Sequence, residues 1–261
     1  MSSIRHKDRD AVIQSLRAGV VPRAGQHLIQ VGRIREIEAI LKDIECVADG
    51  GTMFRLVIGE YGSGKTFFLN LIRAVSLEKK LVTVHADLNP DRRLHATGGQ
   101  ARSLFNELMK NLSTRAKPDG GALAGVIERF ISTARTEAST QNISPENVIY
   151  EKLSELSEMV NGYDFATVIA AYWKGFESGS EQLKADAVRW LRGEFTTKTD
   201  ARSALGVRTI IDDASIYDQL KLLSKFVRIA GYKGLLVCLD EMVNIYKHRH
   251  AMQIMSKYFV F

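Results

Sequence analysis

Residues 59–66 (GEYGSGKT) have the composition and spacing of a loop that binds the phosphates of a nucleotide. They match the pattern G-x-x-x-x-G-K-[ST] at every fixed position. Glycines allow successive backbone N–H groups to curl around a phosphate without a clash from Cβ. Lys65 is expected to reach the β- and γ-phosphates, and the Thr66 hydroxyl to ligate magnesium. The loop therefore predicts a site for ATP and Mg²⁺, formed by Gly59, Glu60, Tyr61, Gly62, Ser63, Gly64, Lys65 and Thr66.

An acidic pair, Asp240 and Glu241, follows the apolar run 234–239 (GLLVCL). A continuous apolar run is typical of a parallel strand that is covered on both faces. The carboxyl end of such a strand lies in the crevice where open α/β sheets bind ligands. Asp240 is predicted to hold the magnesium through water, and Glu241 to orient or deprotonate an attacking water as the catalytic residue. Alone this run also suits an ordinary surface strand end, but beside a complete phosphate loop it favours hydrolysis of a nucleoside triphosphate.

The elements that must position these residues are predicted from apolar periodicity. Residues 53–58 (MFRLVI) indicate a buried strand before the loop, and residues 67–75 a helix after it, whose N-terminal end favours anions. Residues 81–86 (LVTVHA) indicate a second core strand that ends at Asp87. Together with a helix over 34–48, these patterns predict an α/β fold with a parallel sheet.

A helical stretch separates the second strand from the third. Apolar residues recur at helical spacing over 100–112, 123–136, 145–160, 164–177 and 180–192. Ordinary connections between such strands use roughly 10–15 residues including their helix, so we predict a large insertion without sheet strands. The predicted parts are an N-terminal helix and connection (1–30), the first part of the ATPase core (31–90), the helical insertion (91–208) and the second part of the core (209–261).

Composition excludes several classes of protein. The 261 residues are 45% hydrophobic and 25% charged, as in ordinary soluble domains, and no apolar run approaches the roughly 18 residues of a membrane span. Cys46 and Cys238 are interpreted as core thiols of a reducing compartment, so a cytoplasmic location is expected by elimination. The net charge of +6 permits contact with nucleic acid without indicating it, because the basic residues are scattered.

Several stretches together resemble the BrxC/BrxD family of P-loop proteins from bacterial BREX phage-defence systems. The similarity runs from about residue 10 to Lys247. The phosphate loop is generic, and the AGVVP, HADL and DRRLH stretches are specific to the family. The stretches are 16–22 (LRAGVVP), 31–33 (VGR), 58–66 (IGEYGSGKT), 85–88 (HADL), 91–95 (DRRLH) and 236–242 (LVCLDEM).

The resemblance implies a P-loop NTPase fold of the AAA+ type, related to origin-recognition and STAND ATPases. In that class a Gly-Arg pair before the first helix lies near the adenine, which here implies Gly32 and Arg33; the residues alone equally allow an ordinary helix start. Other defence-system proteins are the implied partners. DNA contact and oligomerisation are allowed, and no membrane partner is expected.

One departure from this class concerns the C-terminal part of the ATPase core. An AAA+ core has a fourth strand with a polar sensor residue, a fifth strand, an arginine finger and a helical lid. Only 20 residues follow Glu241, and the similarity fades after Lys247. We therefore expect these elements to be missing, as in a truncated or frame-shifted copy or a fragment, and the capacity for hydrolysis stays open.

Three functions remain under consideration. The first is an AAA+-type ATPase acting in phage defence. The second is a nucleotide-gated interaction subunit that binds ATP without turnover, which the missing elements favour. The third is a small-molecule P-loop kinase, against which the Asp240–Glu241 pair stands, because a kinase needs no water-activating Glu beside its magnesium Asp.

Overall fold

The computed structural model describes residues 6–18, 22, 25, 28–60, 62–96 and 98–242. Over these ranges the chain combines helices with a small parallel sheet. The elements are α1 (His6–Arg17), α2 (Ile34–Ala48), α3 (Lys65–Glu78), β1 (Val82–Asp87), α4 (Gln100–Lys110), α5 (Leu123–Gln141), α6 (Pro145–Ser157), α7 (Gly162–Ser178), α8 (Glu181–Leu191), α9 (Lys198–Leu205), α10 (Ile216–Ile229) and β2 (Leu235–Asp240).

The two strands pair in parallel, with β1 and β2 in register from Val82↔Leu235 to Asp87↔Asp240. Because successive side chains of a strand point to opposite faces, every second residue shares a face. One face carries Val82, Val84 and Ala86 of β1, and these three are buried in the main core. Asp87 and Asp240 therefore point to the opposite face, at the carboxyl ends of both strands.

A small apolar cluster covers the face of the sheet that carries these two carboxylates. Ile40 and Ile44 of α2 pack with Phe68 and Ile72 of α3, and Leu236 of β2 contacts the cluster. The apolar residues of α2 recur three and four positions apart, which places them along one stripe of the helix. This packing fixes α3, and hence the phosphate loop that precedes it, beside β2.

The main core lies on the other face of the sheet and includes buried side chains from α4 to α10. Between the two strands no described residue adds a third strand; Ser113 makes only an isolated antiparallel bridge with Thr83. The helices α4 to α9 fall within 91–208. The division of the chain into four parts stays a prediction, and residues 243–261 of its last part lie outside the described ranges.

Hydrogen bonds to two carboxylates connect residues that follow α9 with α4 and with α7. Asp213 accepts hydrogen bonds from the backbone N–H groups of Gly99 (2.6 Å) and Arg102 (2.8 Å), which satisfies free donors at the start of α4. Asp164 in α7 accepts from the Thr209 N–H (2.8 Å) and hydroxyl (2.6 Å). The chain therefore returns to the sheet at a defined position.

The predicted strand over 53–58 is not formed. Residues 51–60 have no regular secondary structure, and the described sheet has two strands. A strand needs a neighbouring strand that receives its backbone hydrogen bonds, and the described sheet contains no strand beside this segment. Its apolar side chains are consequently not buried between layers: Met53, Phe54, Leu56 and Ile58 are 42–83% exposed. For the same reason most side chains of β2 are only half-buried, although its sequence predicts cover on both faces.

The interpretation of both cysteines as core thiols is half wrong. Cys238 is buried in β2, but Cys46 is exposed on α2. The apolar stripe of α2 is formed by Ile37, Ile40 and Ile44, and Cys46 lies off that stripe. In the described part of the chain, no helix is long and apolar enough to cross a membrane.

Candidate functional site

Glycine backbone conformations shape the loop between residue 58 and α3. Gly62 and Gly64 have φ angles of 78° and 82°, in the left-handed region that glycine adopts without steric cost. A Cβ added to Gly59 would lie 2.5 Å from the Ser63 hydroxyl oxygen, so a side chain at position 59 would displace the Ser63 side chain. Tyr61 of the predicted site lies outside the described residues.

Lys65 is the first residue of α3, and its ammonium lies over the loop. Its Nζ donates to the carbonyl oxygens of Gly59 (3.0 Å) and Glu60 (2.9 Å). The first turn of α3 contains no acidic residue, so no side chain there offsets the positive end of the helix dipole. The lysine and the helix terminus together provide positive potential where a phosphate would bind.

Thr66 connects the loop to the acidic end of β2. Its hydroxyl donates to a carboxylate oxygen of Asp240 at 2.7 Å, across 174 positions of sequence. The other carboxylate oxygen of Asp240 accepts the N–H of Glu241 at 2.8 Å. These two bonds fix the orientation of the Asp240 carboxylate, which then faces the start of α3.

Glu241 lies directly after β2 and is exposed. Its φ of 58° is left-handed, which is uncommon for a residue with a side chain and turns the chain away from the strand direction. The structure thus places both members of the predicted acidic pair at the carboxyl end of the sheet. Asp240 contacts Thr66, whereas Glu241 is open to solvent next to it.

A third carboxylate, Asp87, lies at the same edge of the sheet. It is the register partner of Asp240 on the neighbouring strand. Partial desolvation of the carboxyl raises the pKa of Asp87, and the nearby Asp240 carboxylate raises it further, while Arg92 opposes the shift. The sequence indicated that β1 ends at Asp87 but gave no functional role to this residue, because its proximity to Asp240 depends on strand register.

Arg92 connects this acidic edge to the helical stretch. Its guanidinium forms an ion pair with Glu107 of α4 at 3.2 Å, and its charge acts on Asp87. The turn that carries Arg92 follows β1 directly and is closed by paired backbone hydrogen bonds between Asn89 and Arg92. The DRRLH stretch, noted only as a point of resemblance, therefore lies at the junction of sheet and helices.

Arg33 also reaches the phosphate loop. Its guanidinium donates to the carbonyl oxygen of Ser63 and lies over the ring of Phe68, 5.4 Å from the ring centroid. Gly32 has a left-handed φ of 75° with open space around it. Of the two residues expected near the adenine, Arg33 contacts the loop, and Gly32 serves the turn into α2.

The arrangement brings together two cationic side chains, a helix N-terminus, a hydroxyl and three carboxylates. Cations and backbone N–H groups bind phosphate oxygens, and hydroxyl and carboxylate oxygens suit Mg²⁺. Among the described residues, no group of three or more His, Cys, Asp and Glu could hold a metal by itself.

Comparison with known protein families gives a match over most of the chain. The family model described as BREX system ATP-binding protein BrxC/D matches residues 4–258. A search of curated proteins found no match, and a search of solved structures found none either. The matched range includes the loop, α3, both strands and the helices between them.

Proposed function

This chain belongs to the family of BREX system ATP-binding proteins BrxC/D, as the sequence resemblance predicted, and from that premise we propose that it binds ATP with Mg²⁺ through residues 59–66. We infer further that Glu241 catalyses ATP hydrolysis. The family supports a role for ATP binding in BREX defence. The P-loop fold of AAA+ type is part of the proposal.

The observation that carries the proposal is the 2.7 Å hydrogen bond between Thr66 and Asp240. It joins the loop to an acidic strand end that is distant in sequence. In a P-loop NTPase the loop Ser/Thr and an acidic residue of this kind hold the magnesium ion together. In this chain Thr66 and Asp240 would hold it, and the bound ion would neutralise charge on the β- and γ-phosphates.

The remaining residues have distinct roles in the proposed reaction. Lys65 and the N–H groups of residues 62–66 bind the phosphates and stabilise the charge on their oxygens. Glu241 accepts a proton from a water molecule whose oxygen attacks the γ-phosphorus. The bond from that phosphorus to the bridging oxygen breaks, and ADP and phosphate leave. Exposure of Glu241 leaves room for this water.

The setting of this activity is also proposed. Other BREX proteins are the expected partners, and the cytoplasm is the expected location. Contact with DNA and self-association are compatible with the same site. A kinase acting on a small molecule is the weakest alternative, since it gives no role to Glu241.

A second candidate function is a nucleotide-gated interaction subunit without turnover. It is favoured by the exposed apolar side chains Met53, Phe54, Leu56 and Ile58, which precede the phosphate loop directly. Apolar side chains clustered on a surface commonly mark a protein-binding site. In this case ATP binding would be retained, and no phosphate would be released.

Binding of a fluorescent ATP analogue tests the proposal. Lys65→Ala removes the cation that lies over the loop, and loss of a charge-assisted contact costs about 1.5–3 kcal/mol. The dissociation constant should therefore rise by about ten-fold to a hundred-fold. Lys42→Ala, at an exposed position of α2, is the matched control and should bind like the wild type.

Phosphate release by the same preparation separates the two candidate functions. Binding that depends on Lys65, with release of phosphate, supports the ATPase. Binding that depends on Lys65 without release supports the interaction subunit. Equal affinities of wild type and Lys65→Ala would refute both.

A further inference from the structure

The Arg33 side chain contacts the phosphate loop directly. Its guanidinium donates to the carbonyl oxygen of Ser63, and a Cβ added to Gly64 would lie 3.6 Å from its Nη2. The ring of Phe68, in the first turns of α3, lies beneath the guanidinium. The charged group is thus held at the point where the loop enters α3.

The backbone of Arg33 is anchored, so this position is a property of the fold. Arg33 precedes α2 directly, and its carbonyl oxygen accepts the N–H of Ile37 at 3.0 Å. Its φ of 54° is left-handed, which costs energy for a residue with a Cβ and indicates that the surroundings hold it there. Packing of α2 on α3 then fixes the distance from Arg33 to the loop.

The charge of Arg33 is not neutralised by a carboxylate within the described ranges of the chain. Other arginines do form such pairs: Arg55 with Asp43, and Arg92 with Glu107. A guanidinium has five N–H donors in a planar fork that matches phosphate oxygens. One donor is used on the Ser63 carbonyl, so further donors remain for an anion at the loop.

We propose that Arg33 binds the phosphate chain of the nucleotide and does not recognise its base. The positive end of α3, Lys65 and Arg33 then form one anion site, in which Arg33 approaches from the side of α2. This inference rests on the proposed function, because it names a further contact in the same site. It changes the role that the resemblance implied for Arg33, from an adenine contact to a phosphate contact.

Competition with inorganic tripolyphosphate tests this role directly, since that probe has phosphates and no base. Dissociation constants are measured with Mg²⁺ for ATP, GTP and tripolyphosphate. The proteins are the wild type, Arg33→Gln, Arg33→Lys, Lys65→Ala and the control Arg35→Gln, at an exposed position of α2. A phosphate contact predicts that Arg33→Gln weakens all three ligands by the same factor, about ten-fold or more.

The conservative variant and the control add two further expectations. Arg33→Lys keeps the charge but loses the planar fork, so it should recover part of the affinity for each ligand. Arg35→Gln should match the wild type, which excludes an effect of net charge alone. The ratio of ATP to GTP affinity should be the same in every variant. A general loss of structure in Arg33→Gln would not preserve this ratio, and Arg33→Lys would not then recover affinity.

Two results would overturn the assignment of Arg33. A loss confined to ATP, with tripolyphosphate binding unchanged, would show that Arg33 contacts the base. Unchanged affinity for all three ligands would show that Arg33 only supports the loop. If the proposed function itself is wrong, the result is different: Lys65→Ala would bind ATP with the affinity of the wild type, and the same would hold for tripolyphosphate.

Discussion

At the scale of single residues, the two adjacent carboxylates at the end of β2 differ in their surroundings. Asp240 is fixed by hydrogen bonds from the Thr66 hydroxyl and the Glu241 N–H. The Glu241 side chain is exposed beside it, on a backbone turned into the left-handed region. A carboxylate with defined orientation suits a magnesium ligand, and an exposed neighbour suits a group that must meet water.

Glu241→Gln should therefore separate binding from turnover. The amide keeps the shape of the side chain but cannot accept a proton, and loss of a general base typically lowers the rate about 10²–10⁴-fold. We expect ATP affinity close to that of the wild type and phosphate release reduced by that factor. The measurement is steady-state phosphate release at saturating ATP.

Glu38→Gln, at an exposed position of α2, controls for the change of charge in this experiment and should release phosphate at the wild-type rate. Turnover by Glu241→Gln equal to that of the wild type would remove Glu241 from the mechanism.

The two thiols should react at very different rates. Burial raises the pKa of Cys238 from an ordinary 9.0 to about 12, so its reactive thiolate is on the order of a thousand-fold scarcer at neutral pH. Cys46 is exposed. With iodoacetamide at pH 8, mass spectrometry should find Cys46 alkylated while Cys238 stays unmodified until the protein is unfolded. Rapid alkylation of Cys238 in the folded protein would show that the Cys238 side chain is not buried as described.

At the scale of elements, predictability from sequence depended on whether the signal is local. Ser144 followed by Pro145 is a local signal for the start of a helix, and at the start of α6 the Ser144 hydroxyl accepts the N–H of Glu146 at 3.2 Å. The helix α9 was missed, because residues 194–208 look polar and basic overall. Its signals were a Thr three positions before an Asp, and an apolar pair four positions apart, Ala201 and Leu205, both buried.

The strand over 53–58 was wrong for a physical reason that no local pattern contains. An apolar run describes which side chains avoid water, whereas a strand also requires a neighbouring backbone. The runs at β1 and β2 pair with each other, and the described sheet contains no strand that pairs with residues 53–58. The apolar runs therefore predicted β1 and β2 correctly and the strand over 53–58 wrongly.

The N-terminal cap of α9 can be tested by substitution. The Thr197 hydroxyl accepts the N–H of Asp200 at 3.1 Å, and replacing such a cap by Ala typically costs about 0.5–2 kcal/mol. Thr197→Ala should lower the free energy of unfolding by that amount in urea titrations. The neighbouring exposed Thr199→Ala is the control and should change it much less. Equal effects of the two substitutions would contradict the capping role.

At the scale of the whole molecule, the site exists because a long excursion of the chain returns to the sheet. Thr66 and Asp240 are separated by 174 positions, and the helices α4 to α10 lie between them in the sequence. Asp213 and Asp164 hold the returning segment. The motif predicted that loop and acidic pair would meet, since both belong to one kind of site. Asp87 and Arg92 could not be placed there in advance, because strand register and helix packing decide their positions.

We propose that the loop and the end of β2 form one magnesium–nucleotide site, and the substitution Asp240→Asn is a direct test. Asn keeps the size of the side chain and removes its charge. ATP affinity is measured by calorimetry with Mg²⁺ and with EDTA, in the wild type, in Asp240→Asn and in the control Asp119→Asn from an exposed turn. We predict that Mg²⁺ strengthens ATP binding in the wild type and the control, and that Asp240→Asn loses most of this gain while it keeps its affinity in EDTA. A variant that gains as much from Mg²⁺ as the wild type would contradict the claim.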